Sequence, residues 1–241
     1  MTHRTGRLHY ARILIVGVLL ALSLKLFVID AVYVPSRSME SAVLPGDYLI
    51  LDKTGYTPGW LAFREPGRGE VVAFTLRGGM EGTADGEEGP VILKRCVAAA
   101  GDTIAYRDGR IVVNGAAAAS GVTEPGGFFR DDAPVRVPRR GDTVTLDSAN
   151  CPRWRDFIAR EGHTLEYAPG RQTTLDGAPA ESYTVERDYI FVLGDNHPIS
   201  LDSRVWGFIP AADVVGKAIL IYWSVADGGS VNWGRIGAVV R

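Results

Sequence analysis

From Ile13 to Ile29 the chain is apolar except for Ser23 and Lys25. At 1.5 Å per residue a helix over this run is about 25 Å long, slightly short of the hydrocarbon core of a bilayer. Ala31-Val32-Tyr33-Val34 extends the run, so a single membrane anchor is expected over residues 13–34. Arg4, Arg7 and Arg12 precede it with no acidic residue among them. That basic flank predicts a cytoplasmic N-terminus of residues 1–12 and an exported remainder. Lys25 lies near the far end, where its stem can snorkel to the headgroups. A cleavable signal peptide shares the basic start and the apolar core. No clear small-x-small cleavage site follows here, so the uncleaved anchor is the preferred reading.

The exported remainder has limits set by composition. A chain of 241 residues, 46% hydrophobic, suffices for an anchor plus one sizeable globular unit or two small lobes sharing a core. Its 29 glycines and 13 prolines are scattered, which fits many short strands and turns. A formal net charge of −2 gives no reason to expect a nucleic-acid partner. Cys96 and Cys151 allow one disulfide, although Cys96 also reads as a small buried apolar residue. The four histidines stand apart from one another and from the cysteines, so a zinc site is not expected.

After the anchor the pattern turns strand-like. Tyr48–Asp52, Gly69–Phe74 and Val91–Val97 are short apolar strand candidates, with residues 77–90 reading as an exposed loop. Thr103–Arg107 and Arg110–Val113 flank Asp108-Gly109, a dipeptide suited to a type I′ hairpin turn, and Asn114-Gly115 is a further turn. Arg153–Glu161, with Pro152 near its start and Trp154, Phe157 and Ile158 on one face, is the best helix outside the anchor. Gly101–Arg110 resembles Gly162–Arg171, which shared hairpin turn chemistry explains without duplication. Tyr189–Leu193 is a wholly apolar strand, and Ala218–Trp223 completes the sheet. The expected fold is mainly β. A single N-terminal transmembrane helix leads into an antiparallel catalytic core, 35–104 and 188–241, with a hairpin-rich β lobe and one short helix inserted at 105–187.

Three stretches carry chemistry. Pro35-Ser36-Arg37-Ser38-Met39 places two serines on alternate positions just outside the bilayer, so an extended backbone turns both hydroxyls to one side. A nucleophilic serine needs a base. Lys94 interrupts an apolar strand and shares a face with Ile92 and Cys96. Burial disfavours a charged lysine and makes its neutral amine available to take a hydroxyl proton. Serine with lysine is a known form of the nucleophile–base pair. Strand pattern alone favours an edge lysine pointing to water. The third stretch, Gly194 to Gly207, is dense in polar groups directly after a buried strand, as befits a core-capping network or a site.

Together these stretches resemble the bacterial signal peptidase I (type I leader peptidase) family. Ser36-Arg37-Ser38-Met39, then Lys94-Arg95 leading to Gly101-Asp102, then Gly194-Asp195-Asn196 through Ser200, Asp202, Ser203, Arg204, Trp206 and Gly207 stand in the family's order. The likeness runs from the anchor to about Trp223. It implies a serine endopeptidase in which Ser38 is the nucleophile and Lys94 the general base. Ser36, with the backbone N–H of Ser38, corresponds to the oxyanion hole, and Ser200 to the hydroxyl that orients the lysine. Asp202 and Arg204, together with Arg95, correspond to the supporting ion pairs. Val34, Pro35, Val91, Ile92 and Leu93 correspond to the backbone that receives substrate as an added β-strand, with shallow pockets for small residues such as alanine. The serine–lysine chemistry implies neither a metal nor an organic cofactor. The implied partners are preprotein signal peptides, the lipid bilayer and the export translocon. The implied place is the bacterial cytoplasmic (inner) membrane, crossed once, with catalysis outside.

Two departures stand out. Ser41-Ala42 occupies the place of the family's Pro-Thr, and His197-Pro198-Ile199 that of its Arg-Asp-Asn. His197 admits a competing triad of Ser38, His197 and Asp195 or Asp202. Other readings of the whole are a Ser/Lys self-cleaving protease, or a non-catalytic anchored β domain that binds exported chains.

Overall fold

The structure is a computed structural model that describes residues 3–56, 63–76, 89–122, 126–129, 133–147, 150–168, 170 and 172–241. Helix α1 spans His3–Phe27. From Ile13 onward its apolar side chains are exposed, Leu14 at 69% and Leu20 at 60%. Among the described residues no helix is long and apolar enough to cross a membrane. The apolar part of α1, Ile13–Phe27, is about 22 Å long. Residues 31–34 do not lengthen it as expected, because the helix has already ended. Ile29–Tyr33 forms β1, antiparallel to β2 (Asp47–Asp52). Two features explain the switch. Asp30 breaks the apolar run and lies 3.6 Å from Lys53 across the pair. The β-branched Ile29 and Val32 suit a pleated surface.

The remaining elements follow in order. They are β3 (Val71–Thr75), β4 (Val91–Ala98), β5 (Thr103–Arg107), β6 (Arg110–Val113), β7 (Ala116–Ser120), β8 (Val135–Arg136) and β9 (Thr143–Thr145). Helix α2 (Cys151–Arg160) precedes β10 (Leu165–Glu166), β11 (Thr174–Leu175), β12 (Ala178–Pro179), β13 (Ser182–Thr184) and β14 (Tyr189–Leu193). Helix α3 (Ser203–Trp206), β15 (Ile209–Pro210) and β16 (Val214–Ser224) close the chain.

A seven-stranded antiparallel sheet, in the order β1-β2-β16-β3-β4-β14-β15, is the frame. The strands expected at 48–52, 91–97 and 189–193 all lie in it, and Ala218–Trp223 is part of the longer β16. β3 and β14 are buried at every position, in keeping with the apolar run Val71–Phe74 and the wholly apolar Tyr189–Leu193. Alternate residues feed two cores. Val71 and Ala73 join Met39, Leu49 and Ile221 on one side, while Val72 and Phe74 join Cys96, Val192 and Trp206 on the other. Register shifts at three places along β16 bend the sheet.

The lobe lies between β4 and β14 in sequence. Its main sheet runs β7-β6-β5-β8. The β5–β6 turn has Asp108 at φ 48° and Gly109 at φ 73°, the two positive values that a type I′ turn demands. Helix α2 begins two residues earlier than expected, with Pro152 in its first turn, and sets Phe157 4.6 Å from Tyr189. Cys96 and Cys151 are both buried and both free, so no disulfide links sheet to lobe. Most of the expected 77–90 loop lies outside the described residues, as does part of the second Gly-to-Arg repeat.

Candidate active site

The serine segment is anchored before it bends. Val34 donates its N–H to Asp47 (2.9 Å) and accepts one from Gly46 (3.0 Å), continuing the β1–β2 pairing. The backbone is then not extended. It bends at Ser36-Arg37 and turns through residues 38–42, with the Val43 N–H on the Met39 carbonyl at 2.9 Å. Met39 and Val43 are both buried in one core, and the Glu40 and Ala42 N–H groups, on the Arg37 and Met39 carbonyls, hold the turn between them. The hydroxyls of Ser36 and Ser38 nonetheless lie 3.2 Å apart.

Asp47 holds the foot of this turn. Burial pushes its carboxyl up, but Arg235 (2.7 Å), the Leu44 N–H and the Ser224 hydroxyl outweigh that and hold it below the usual carboxylate range. Arg235 also donates to the Ala42 carbonyl at 3.3 Å.

Lys94 comes from β4 with its side chain buried, at 3% exposure. Its Nζ donates to Ser38 Oγ at 2.8 Å. Strand alternation sets the face: Val72 is its partner on β3, and Ile92 and Cys96 pack with Val72, Phe74 and Trp206. Burial, with the charges of Glu70 and Asp102, pushes the Cys96 thiol up to about 12, so it offers no competing thiolate.

The third stretch closes over the pair. A Cβ on Gly194 would collide with Ser200 Oγ and with the Ser38 carbonyl, so residue 194 has to be glycine for the two segments to meet. The Asn196 N–H donates to the Ser38 carbonyl (3.0 Å), and its side chain donates to Glu40 (3.1 Å). Ser200 is buried beside Gly194, its hydroxyl donating to the Leu201 carbonyl at 3.4 Å. Asp202, fully buried, caps α3 through the Arg204 N–H, receives Arg204 Nε at 2.8 Å and accepts the Gly194 N–H at 3.1 Å. Arg204 Nη2 also donates to the carbonyls of His197 (2.7 Å) and Ser200 (3.1 Å).

Arg95 does not join that group. It pairs with Asp195 through Nε (2.7 Å) and Nη2 (2.6 Å), and Asp195 accepts the Ser41 hydroxyl at 2.8 Å. Alternation again decides, since Arg95 faces away from Lys94. The site thus has two separate ionic supports, one fixing the 194–204 loop and one tying β4 to the serine turn. The His197 triad finds no support: its Nδ1 bonds the Gly194 carbonyl at 2.8 Å, while Asp195 and Asp202 engage arginines.

A groove of about 390 Å³ opens at the pair. Val34, Pro35, Val91, Ile92 and Leu93, singled out from sequence, line it together with Ser36, Ser38, Lys94, Ile199, Leu201 and Trp206. Three strands separate β1 from β4 in the sheet order, yet the segments flanking both share this groove, so the sheet curls. β14 pairs with β4 only from Arg95 onward, which leaves the 91–94 edge open toward the groove. Sequence reasoning missed Gly194, Asn196 and the Ser41–Asp195 link as constructive parts. The signal was Gly-Asp-Asn placed directly at the end of a fully buried strand.

A hydroxyl held against a buried amine, beside a second hydroxyl and an open strand edge, suits acyl transfer on an extended peptide. The family model described as "Signal peptidase, peptidase S26" matches residues 7–223. Probable signal peptidase I-2 of Synechocystis is 26% identical over 218 residues, covering 90% of this chain and 74% of that protein. Signal peptidase I of Pseudomonas aeruginosa is 26% identical over 243 residues, covering 91% and 75%. A crystal structure of a signal peptidase I from Enterococcus faecalis aligns at 21% identity over 64% of this chain and 97% of its own, with a TM-score of 0.29. The chain belongs to the signal peptidase family, peptidase S26, a family of serine endopeptidases.

Proposed function

We propose that this chain is a membrane-anchored signal peptidase I that cuts exported preproteins with a Ser38–Lys94 dyad. The 2.8 Å contact between Lys94 Nζ and Ser38 Oγ carries the reading. Proton transfer requires Lys94 as the uncharged amine, a form that desolvation favours. Lys94 takes the Ser38 proton as Oγ attacks the scissile carbonyl. The Ser36 hydroxyl and the Ser38 N–H receive the developing oxyanion. The C–N bond then breaks, and the proton on Lys94 passes to the leaving amine. Water, deprotonated by Lys94, cleaves the ester and returns Ser38 to its hydroxyl. Ser200, buried beside Gly194, orients the amine by rotation of its hydroxyl. Asp202 and Arg204 hold the loop that bears Ser200, and Arg95 with Asp195 holds the serine turn.

The signal segment adds as a strand to the open 91–94 edge, facing Val34 and Pro35. The groove's walls leave room for small residues at the positions one and three before the cut. Helix α1 is the anchor. An apolar helix exposed on every side in water is unfavourable, and lipid relieves that cost. Its apolar length of about 22 Å fits a bilayer that thins locally around it. Arg4, Arg7 and Arg12 place the N-terminus in the cytoplasm and the sheet on the far side of the inner membrane. Ten residues, Val28 to Arg37, separate the helix end from the nucleophile, so apposition to the membrane becomes part of selection.

The test is to incubate the full chain, in detergent or vesicles, with a preprotein carrying an Ala-x-Ala site and to locate the cut by mass spectrometry. Cleavage after the second alanine, absent in Ser38→Ala, is expected. Cleavage that survives Ser38→Ala, or none by a folded protein, contradicts the reading.

A further inference from the structure

A second cleft, of about 240 Å³, is lined by Ser41, Arg95, Val97, Asp195 and His197, residues that follow the groove-lining or strand residues in the same three segments. Each of the three chemistry-bearing segments contributes to both. In the serine segment, residues up to Met39 line the groove and Ser41 lines the cleft. In β4, residues up to Lys94 line the groove, and Arg95 and Val97 line the cleft. In the loop after β14, Ile199 and Leu201 face the groove, and Asp195 and His197 face the cleft. The dyad sits where the segments cross over. A peptide bond presented to Ser38 has two sides. With the acyl side along the open 91–94 edge, the leaving side departs past Ser38 toward Ser41 and Asp195.

We infer that this cleft is the subsite for the first residues after the cut, the new N-terminal segment of the mature chain. The inference rests on the peptidase reading and adds to it a source of specificity beyond the small residues before the cut. The cleft's chemistry narrows the occupant. Arg95 and Asp195 are engaged with each other, so neither offers a net charge. Ala118 and Ala119 of β7 form a low wall on the lobe side, leaving space for a side chain. Ser41 spends its hydrogen on Asp195 and can only accept further, and His197 supplies another polar atom. Its Nδ1 faces the Gly194 carbonyl at 2.8 Å, and a carbonyl only accepts, so Nδ1 carries the hydrogen. In the neutral ring Nε2 is then an acceptor. The cleft therefore selects a short side chain that donates a hydrogen bond, such as serine or asparagine, over an apolar one of equal size.

The experiment uses the full chain and a set of preproteins identical up to the cut. They carry serine, asparagine, alanine, valine or tryptophan at the first and second positions after it. Wild type is expected to favour serine over alanine by about three- to tenfold in kcat/KM, the worth of one hydrogen bond. His197→Ala flattens that preference. Ala118→Phe narrows the cleft and lowers kcat/KM for tryptophan relative to alanine, again by several-fold. Because Ala118 is exposed, its substitution keeps the readout available if His197→Ala perturbs the loop. Equal discrimination after the cut by wild type and Ala118→Phe, with all substrates cleaved, overturns the subsite and leaves the peptidase intact. No cleavage by folded wild type removes both.

Discussion

The lobe and the edge of the main sheet each bury an ionisable side chain, and they treat it in opposite ways. Glu161, at the end of α2, is 6% exposed and accepts from Tyr183 (2.5 Å), Tyr189 (2.8 Å) and the Glu186 N–H (3.1 Å). Burial, and then the bond to Glu161, pushes both phenols well above the usual tyrosine range, so they stay donors. Glu161 is a strut that joins helix to strands. Lys94 is buried to the same degree, but its amine meets a serine hydroxyl at the mouth of an open groove. A buried polar group surrounded by fixed partners stabilises, while one that faces a reactive hydroxyl beside a vacant strand edge is poised to exchange a proton.

The largest expected effect breaks the comparison on the Lys94 side. Ser38→Ala and Lys94→Met should each lower preprotein cleavage by about a thousandfold or more. Circular dichroism and melting temperature should stay near wild type. A Lys94→Met enzyme within tenfold of wild type would make Lys94 a structural residue like Glu161.

Next comes Gly194→Ala. The added methyl drives Ser200 and the Ser38 carbonyl apart, so cleavage should fall by about a hundredfold, as displacements near an ångström do. KM for a preprotein should change far less, since the groove keeps its other walls.

On the lobe side, Glu161→Leu leaves two buried phenols and an N–H without their acceptor. Unfolding free energy should drop by about 2–4 kcal/mol in denaturant titrations. Activity per folded molecule should remain within about twofold, because no atom of the dyad touches that network. Loss of catalysis without loss of stability would dissolve the contrast.

The smallest effect sharpens the lobe further. His163 sits between Asp176 (2.7 Å) and Glu186 (3.1 Å), whose hydrogen bonds raise its pKa above the ordinary histidine value. A raised folded-state pKa stabilises fully below the unfolded value, about 6.5, and the gain disappears as pH rises through the folded value. These groups are largely solvated, so the contribution is small. The melting difference between wild type and His163→Gln should be larger at pH 5.5 than at pH 8.5.

Much of the frame was legible before any coordinates. β14 was visible as Tyr189–Leu193 because a strand buried on both faces needs no alternation. The β5–β6 hairpin was visible because Asp108-Gly109 tolerates two positive φ angles. The face of Lys94 followed from period two along β4. What escaped depended on contacts far apart in sequence. The run at 31–34 looked like anchor because hydropathy cannot see that β2 is waiting to pair with it. Ser36 and Ser38 looked extended because the burial of Met39 and Val43 is fixed by the rest of the core. Arg95 was assigned to Asp202 and Arg204 by resemblance, whereas its face on β4 delivers it to Asp195. Ser41 was noted only as a departure, and it is the residue that ties the serine turn to that pair.

The most direct test is to trap the ester. Rapid acid quench of enzyme mixed with a slowly hydrolysed preprotein, followed by peptide mass mapping, should find the signal segment attached to the peptide containing Ser38. The adduct should be missing when Lys94 is replaced by methionine. An adduct on another residue, or one forming on Ser38 at the wild-type rate without Lys94, would contradict a serine activated by that amine.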